Sequence, residues 1–246
     1  MPSPSELVVL FDVDNTLLDN DRVSQDLARH LQREFGRANG DRYWAIFEQL
    51  RAELGYADYL GALQRYRLEH AHDPRLFRVS SFLVDYPFAD RLFPRTLEVI
   101  ERARAWGAAV IFSDGDVVFQ PRKIERSGLW EAVAGQVLIY IHKEQELADV
   151  ERLYPAAHYV LADDKLRILA AIKRSWGPKV TTVFPRQGHY ALDPAAAATY
   201  PAADVAIDRI GDLLAYDLPA LLGAAAGGAA GDRARSAREA PHDEGK

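Results

Sequence analysis

The segment Phe11-Asp12-Val13-Asp14-Asn15-Thr16 places two carboxylates two residues apart, directly after the short apolar run Leu7 to Phe11. A turn leaving a strand can aim both carboxylates, or one carboxylate and one backbone carbonyl, at a common point. A second acidic pair, Asp163-Asp164, follows another apolar run, Tyr159 to Ala162. If both runs belong to one sheet, up to four carboxylates meet at its edge. Two such groups ~5 Å apart repel by about 3 kcal/mol at an effective dielectric of ~20, which calls for a cation. Oxygen donors without neighbouring histidine or cysteine select a hard ion, and Mg²⁺ takes one or two carboxylates together with waters and a substrate phosphate. A calcium loop of the D-x-[DN]-x-[DN]-G type does not fit, because Leu17 stands where glycine is needed and Val23 where the closing glutamate is needed. Taken alone, Asp12 and Asp14 would also suit a turn capped by two aspartates.

Two further groups fall at equivalent places. Ser113-Asp114-Gly115-Asp116 follows the apolar run Ala108 to Phe112, and Lys143 follows Val137 to Ile141. A hydroxyl, an ammonium and a metal at one edge form a site for an anion with several oxygens. Individually, Ser113 could cap a helix and Lys143 could be a surface lysine, while Lys123 competes for the ammonium role from a helix-like segment. The coincidence, run after run, favours a site.

The elements that would position these groups are legible as well. The four runs, with Val180 to Phe184 and Val205 to Ile207, are of strand length and nearly continuously apolar. That pattern suits strands covered on both faces in a parallel sheet. Leu97 to Trp106, Val118 to Ser127, Glu144 to Leu153 and Lys165 to Trp176 read as connecting helices, with Gly107, Gly128 and Gly177 where helix ends favour glycine. Alternation of strand and helix implies a doubly wound α/β fold, whose ligands bind outside the carboxyl ends of the strands. Between the first and second strands, residues 19–92 read instead as a helical insertion. Val23, Leu27, Leu31 and Phe35 form one stripe, and Tyr43, Phe47, Leu50 and Leu54 another. The insertion carries 11 of the chain's 25 aromatic residues, which suits a small bundle with a bulky core better than stacking on a substrate.

These residues resemble the haloacid dehalogenase superfamily, whose first motif is DxDx[TV] and whose other motifs follow the second, third and fourth strands. The resemblance runs from Leu7 to Ile207. It implies a parallel α/β core over residues 1–18 and 93–222, a C1-type helical cap over 19–92, and a Mg²⁺-dependent phosphomonoester hydrolase. It puts the nucleophile on Asp12 and the general acid/base on Asp14. Ser113, Asp114 and Lys143 would contact the phosphoryl group. Asp12, Asp14 through its carbonyl, and Asp163 would hold the metal, with Asp164 orienting that shell. The pattern departs at Ala162, where glycine is usual, and in the adjacency of Asp163 and Asp164. Relatives that cleave carbon–halogen bonds lack the second aspartate and the metal. A phosphomutase or a phosphate-binding regulatory protein of the same fold remain alternatives. Substrate contacts are not singled out by the pattern; Asn20, Arg22, Tyr43 and Trp44 of the insertion are candidates, as is the loop Pro185 to Tyr190.

Composition is consistent with small-molecule chemistry. The 246 residues include no cysteine, so thiolate metal sites, disulfides and cysteine nucleophiles are excluded. The net charge of −6 gives no basis for nucleic-acid binding. No apolar run approaches membrane-spanning length and the N-terminus lacks the features of a signal peptide, so a cytoplasmic location is expected. The Ala/Gly-rich and then charged stretch 223–246 is expected to stay unfolded.

Overall fold

The structure is a computed structural model that describes residues 5–223. The expectation for residues 224–246 lies outside the described residues. Six strands, β1 (Ser5–Phe11), β2 (Ala108–Asp114), β3 (Val137–Tyr140), β4 (Ala156–Ala162), β5 (Val180–Pro185) and β6 (Val205–Ile207), form one parallel sheet in the order β3-β2-β1-β4-β5-β6. This is the doubly wound α/β arrangement read from the sequence. The chain's direction of winding reverses at β1, between β2 and β4, the crevice where such sheets bind ligands. Phe11 is in register with both Ile111 and Ala162, so the residues after β1 and β4 emerge side by side.

Strand β1 shows why the runs are continuously apolar. Leu7, Val9 and Phe11 pack into one hydrophobic cluster, while Val8 and Leu10 pack into the other on the opposite face. Both faces are covered by helices, as a parallel sheet requires. Helices α8 (Leu147–Leu153) and α9 (Leu166–Trp176) contribute Leu147, Val150, Ile168, Leu169 and Ile172 to the second cluster. On the first face lie α5 (Thr96–Trp106), α6 (Phe119–Arg126) and the short α7 (Leu129–Ala132).

The insertion between β1 and β2 is helical throughout: α1 (Asn20–Phe35), α2 (Arg37–Leu54), α3 (Tyr59–Glu69), α4 (Leu76–Asp85), and a 3₁₀ turn over Phe88–Arg91. All four residues of the Val23 stripe are buried, as are Tyr43, Phe47 and Leu50. Leu54 departs from the second stripe and is 36% exposed, because α2 ends there at Gly55, which adopts φ +81° and closes the helix. Of the candidate substrate residues, Tyr43 is reassigned to the core. Tyr43 is fully buried, its hydroxyl donating to the Tyr59 carbonyl at 2.8 Å, and Arg22 is exposed beside Asp26 and Gln25. Trp44 packs edge-on against Tyr43, Phe47 and Tyr59. The aromatic excess therefore builds a core.

The module joins the sheet through two paired linkers. The Asp19 N–H donates to the Arg91 carbonyl at 2.8 Å, the Phe93 N–H to the Leu17 carbonyl at 2.9 Å, and Leu18 bridges Leu92. Because Leu27 lies at the centre of the α1 stripe with no exposed surface, Leu27→Ala should cost about 2–5 kcal/mol of unfolding free energy. Urea titration followed by circular dichroism measures it.

Candidate active site

The turn after β1 sets the geometry. The Val13 carbonyl accepts from the N–H groups of Thr16, Leu17 and Leu18, and Asn15 takes φ +60°, a left-handed conformation that asparagine tolerates. This tight turn keeps Asp12 and Asp14 at the strand end. Asp12 is buried, and its N–H donates to the Ala162 carbonyl at 3.0 Å. Asp163 and Asp164, both buried, follow β4 one strand away. Carboxylate oxygens of Asp12, Asp163 and Asp164 lie within 4.8 Å of one another. The Asp164 N–H donates to Thr16 Oγ1 at 3.0 Å, which ties the two strand ends together.

Two buried lysines pair with aspartates at this edge. Lys143 Nζ lies 2.6 Å from Asp12 Oδ1 and 2.7 Å from Asp163 Oδ2, and donates to the Phe112 carbonyl at 3.0 Å. Burial disfavours its charge, but Asp12, Asp163 and Asp114 outweigh that and hold its pKa above the usual lysine range. Lys123 is equally buried, but its Nζ donates to Asp14 Oδ1 at 2.6 Å and to Asn20 Oδ1 at 3.0 Å. The two candidates for one ammonium thus occupy different places, Lys143 between Asp12 and Asp163 and Lys123 on Asp14.

The end of β2 supports this arrangement. Ser113 is buried, and its Oγ accepts from Gln120 Nε2 at 2.9 Å. The start of α6 is instead capped by Asp116, which accepts from the Val118 and Phe119 N–H groups. The Asp114 carboxylate accepts from the Lys143 N–H at 2.7 Å and so orients the lysine's backbone. Burial raises the Asp114 pKa, with Lys143 offsetting part of the effect.

Lys165 was not singled out by the sequence reading, whereas the loop Pro185 to Tyr190 was a candidate there. Lys165 follows the acidic pair, its N–H donating to Asp163 Oδ1 at 2.8 Å. Its ammonium stands 5.0 Å from the centre of the Tyr190 ring, and despite burial its pKa is raised by Asp164, Asp12 and Asp163. Lysine beside DD was the available signal. The loop after β5 reaches this edge. Gln187 Nε2 donates to the carbonyls of Asn15 and Thr16, and its Oε1 accepts from the Ile210 N–H. Gly188, at φ +78°, presses so closely on Asn15 that a Cβ would collide with it. His189 and Tyr190, on the short helix α10 (Gly188–Ala191), bond Asp21 and Arg51 of the helical module at 2.5 and 2.6 Å. Nothing local marks Gln187 as different from any loop glutamine.

The donor set fits a divalent cation. Asp12 Oδ2 and both oxygens of Asp164 are buried without a hydrogen-bond donor, and Asp163 Oδ2 has an ion pair but no hydrogen bond of proper geometry. Buried polar atoms are seldom left so. A hard ion would meet oxygen ligands here, as Mg²⁺ prefers.

Residues 7–184 match the family model for haloacid dehalogenase-like hydrolases, and the chain belongs to that family of hydrolases. A haloacid dehalogenase-like hydrolase from Burkholderia xenovorans LB400 is 62% identical, with a TM-score of 0.84 over 89% of this chain and 99% of that one. The fold also matches a magnesium-bound HAD-hydrolase from Bacillus subtilis (14% identity, TM-score 0.56, 86% and 98% covered). It likewise matches the L-2-haloacid dehalogenase from Xanthobacter autotrophicus (19% identity, TM-score 0.52, 84% and 96% covered). No match is found among curated proteins. Among the described residues, no helix is long and apolar enough to cross a membrane.

Burial pushes the Asp163 carboxyl up to about 6 from 3.8, with Lys143 opposing and Asp12 adding to the shift; Asp164 is raised in the same direction. The folded protein therefore keeps a proton that the unfolded chain releases between these values, and metal-free stability must fall as pH rises through that window. The melting temperature of chelator-treated protein should drop between pH 4 and 6.5, and Asp163→Asn should shrink the drop. Added Mg²⁺ should raise the melting temperature more at pH 7.5 than at pH 5, since it competes with protons for the same oxygens.

Proposed function

We propose that this chain is a Mg²⁺-dependent phosphomonoester hydrolase acting on a small phosphorylated metabolite through an aspartyl-phosphate on Asp12. The observation that carries the reading is the buried group of Asp12, Asp163 and Asp164, whose undonated oxygens call for a cation, next to a second aspartate, Asp14, in the same turn. Cleavage of a carbon–halogen bond by this fold has no use for Asp14 or a metal. The Bacillus subtilis protein shows that the fold can hold magnesium.

Asp12 attacks phosphorus, and the ester oxygen leaves with the electron pair of the broken P–O bond. This splits one hard displacement into two easier ones. Asp14 gives its proton to the departing oxygen. It then takes one from the water that cleaves the Asp12–phosphorus bond and regenerates both aspartates. The Lys143 ammonium, between Asp12 and Asp163, and the Ser113 hydroxyl stabilise charge on the transferred oxygens, where most phosphoryl-transfer catalysis resides. Asp114 positions Lys143 from behind. The carboxylates of Asp12 and Asp163 and the Asp14 carbonyl would hold Mg²⁺, with Asp164 orienting them; bound there, the ion supplies positive charge to the phosphoryl oxygens. The helical module acts as a cap, which excludes water and selects the substrate.

Hydrolysis of 4-nitrophenyl phosphate should be lost on chelation and restored by Mg²⁺. Asp12→Asn should abolish turnover, and Asp14→Asn should reduce it about 10²–10⁴-fold with an ester that needs a proton to leave. Steady-state phosphate release measures all three. Activity indifferent to chelator and to Asp12→Asn would overturn the proposal, as would turnover of 2-haloacids with none of phosphomonoesters.

A further inference from the structure

The second buried lysine has no task in the chemistry above. Lys123, on α6, is 1% exposed, and its Nζ reaches Asp14 Oδ1 at 2.6 Å and Asn20 Oδ1 at 3.0 Å. Its ammonium stands 5.2 Å from the centre of the Phe119 ring. Burying an ammonium costs several kcal/mol unless it is paired and hydrogen-bonded, so a lysine placed here must meet fixed partners. Those partners come from two elements. Asp14 belongs to the turn after β1, and Asn20 opens α1 of the helical module. Asn20 Nδ2 in turn donates to the Tyr59 hydroxyl at 3.4 Å, and that hydroxyl shares a 2.9 Å hydrogen bond with Ser24 Oγ. Lys123 thus lies at the seam between sheet and module, fixed on both sides.

We propose that Lys123 is the positioning residue of Asp14: by anchoring Oδ1 against α6 and Asn20, it holds the carboxyl so that Oδ2 faces the departing oxygen of the substrate. The inference rests on the phosphohydrolase reading and adds to it the group that aims its acid. Asp14 needs such help because its side chain is 26% exposed, whereas Asp12 is buried and already held by Lys143. A misplacement of about 1 Å in a reacting group costs on the order of a hundredfold in rate. In the step concerned the Asp12 oxygen–phosphorus bond forms and the ester P–O bond breaks. Its electron pair stays on the leaving oxygen, and that oxygen receives the Asp14 proton. An aryl leaving group such as 4-nitrophenolate departs without that proton; an alkoxide does not.

The test compares kcat/KM, which reports events up to leaving-group departure, for 4-nitrophenyl phosphate and for an alkyl ester. The alkyl ester is whichever of glycerol phosphate, phosphoglycolate or glucose 6-phosphate the wild type hydrolyses fastest. Lys123→Met should lower kcat/KM for the alkyl ester about a hundredfold and for the aryl ester less than about threefold. Asn20→Ala, which removes the second anchor from a half-buried position and leaves the lysine in place, should give the same pattern more weakly, and it decides the matter if Lys123→Met does not fold. Lys123→Arg should recover part of the alkyl-ester activity. Equal losses on both esters, or no loss on the alkyl ester, would overturn the positioning role while leaving the phosphohydrolase reading intact. A wild type that hydrolyses neither ester would overturn that reading and this inference with it.

Discussion

Three carboxylates share one buried corner of this protein, and the surrounding structure is arranged to make that tolerable. Oxygens of Asp12, Asp163 and Asp164 within 4.8 Å of one another repel by about 3 kcal/mol per ionised pair at an effective dielectric of ~20. Lys143 relieves part of this by bridging Asp12 and Asp163, and the fold commits much to keeping it there. Asp114 orients the backbone of Lys143, the Phe112 carbonyl accepts from its ammonium, and both come from the neighbouring strand β2. The pKa of Asp163 and of Asp164 is raised first by burial, and repulsion from the neighbouring carboxylates adds to it. A site so charged is poised for a cation and for an anionic group that brings oxygens to it.

The same corner explains the placing of the insertion. It leaves the core immediately after the Asp12–Asp14 turn and returns immediately before α5, through linkers that hydrogen-bond to each other. Any movement of the helical module is therefore hinged beside Asp12 and Asp14. Contacts on the far side of the crevice come from the loop after β5, where Asp21 meets His189 and Arg51 meets Tyr190. Gln187 closes the arrangement from below by satisfying the carbonyls of the turn itself. The turn is thus held from both sheet and module, which suits a place where small displacements change rates.

Much of this was legible in the chain. The continuous apolar runs indicated parallel strands, because burial on both faces leaves no room for polar alternation, and β1 divides its residues between two cores as that requires. The stripe from Val23 to Phe35 indicated a helix with one buried face. The recurrence of Asp12, Ser113, Lys143 and Asp163 at or after the ends of successive apolar runs indicated a shared edge, because parallel strands all end on the same side. Leu54 failed because helical periodicity does not say where the helix stops. Tyr43 failed as a substrate candidate because residue type does not say which way a side chain points.

By itself, then, the sequence determined what depends on local order: which segments are strands and helices, and which chemical groups stand at their ends. Tertiary structure alone decided which partner each group meets. Lys143, after a strand, and Lys123, on a helix, are the same residue type, yet one bridges Asp12 and Asp163 and the other holds Asp14. Gln187 and Asn15 touch across 172 positions of chain. Such contacts arise from the order of strands in the sheet and the angle at which helices pack, and these follow from the summed burial of the whole core rather than from any short stretch of residues.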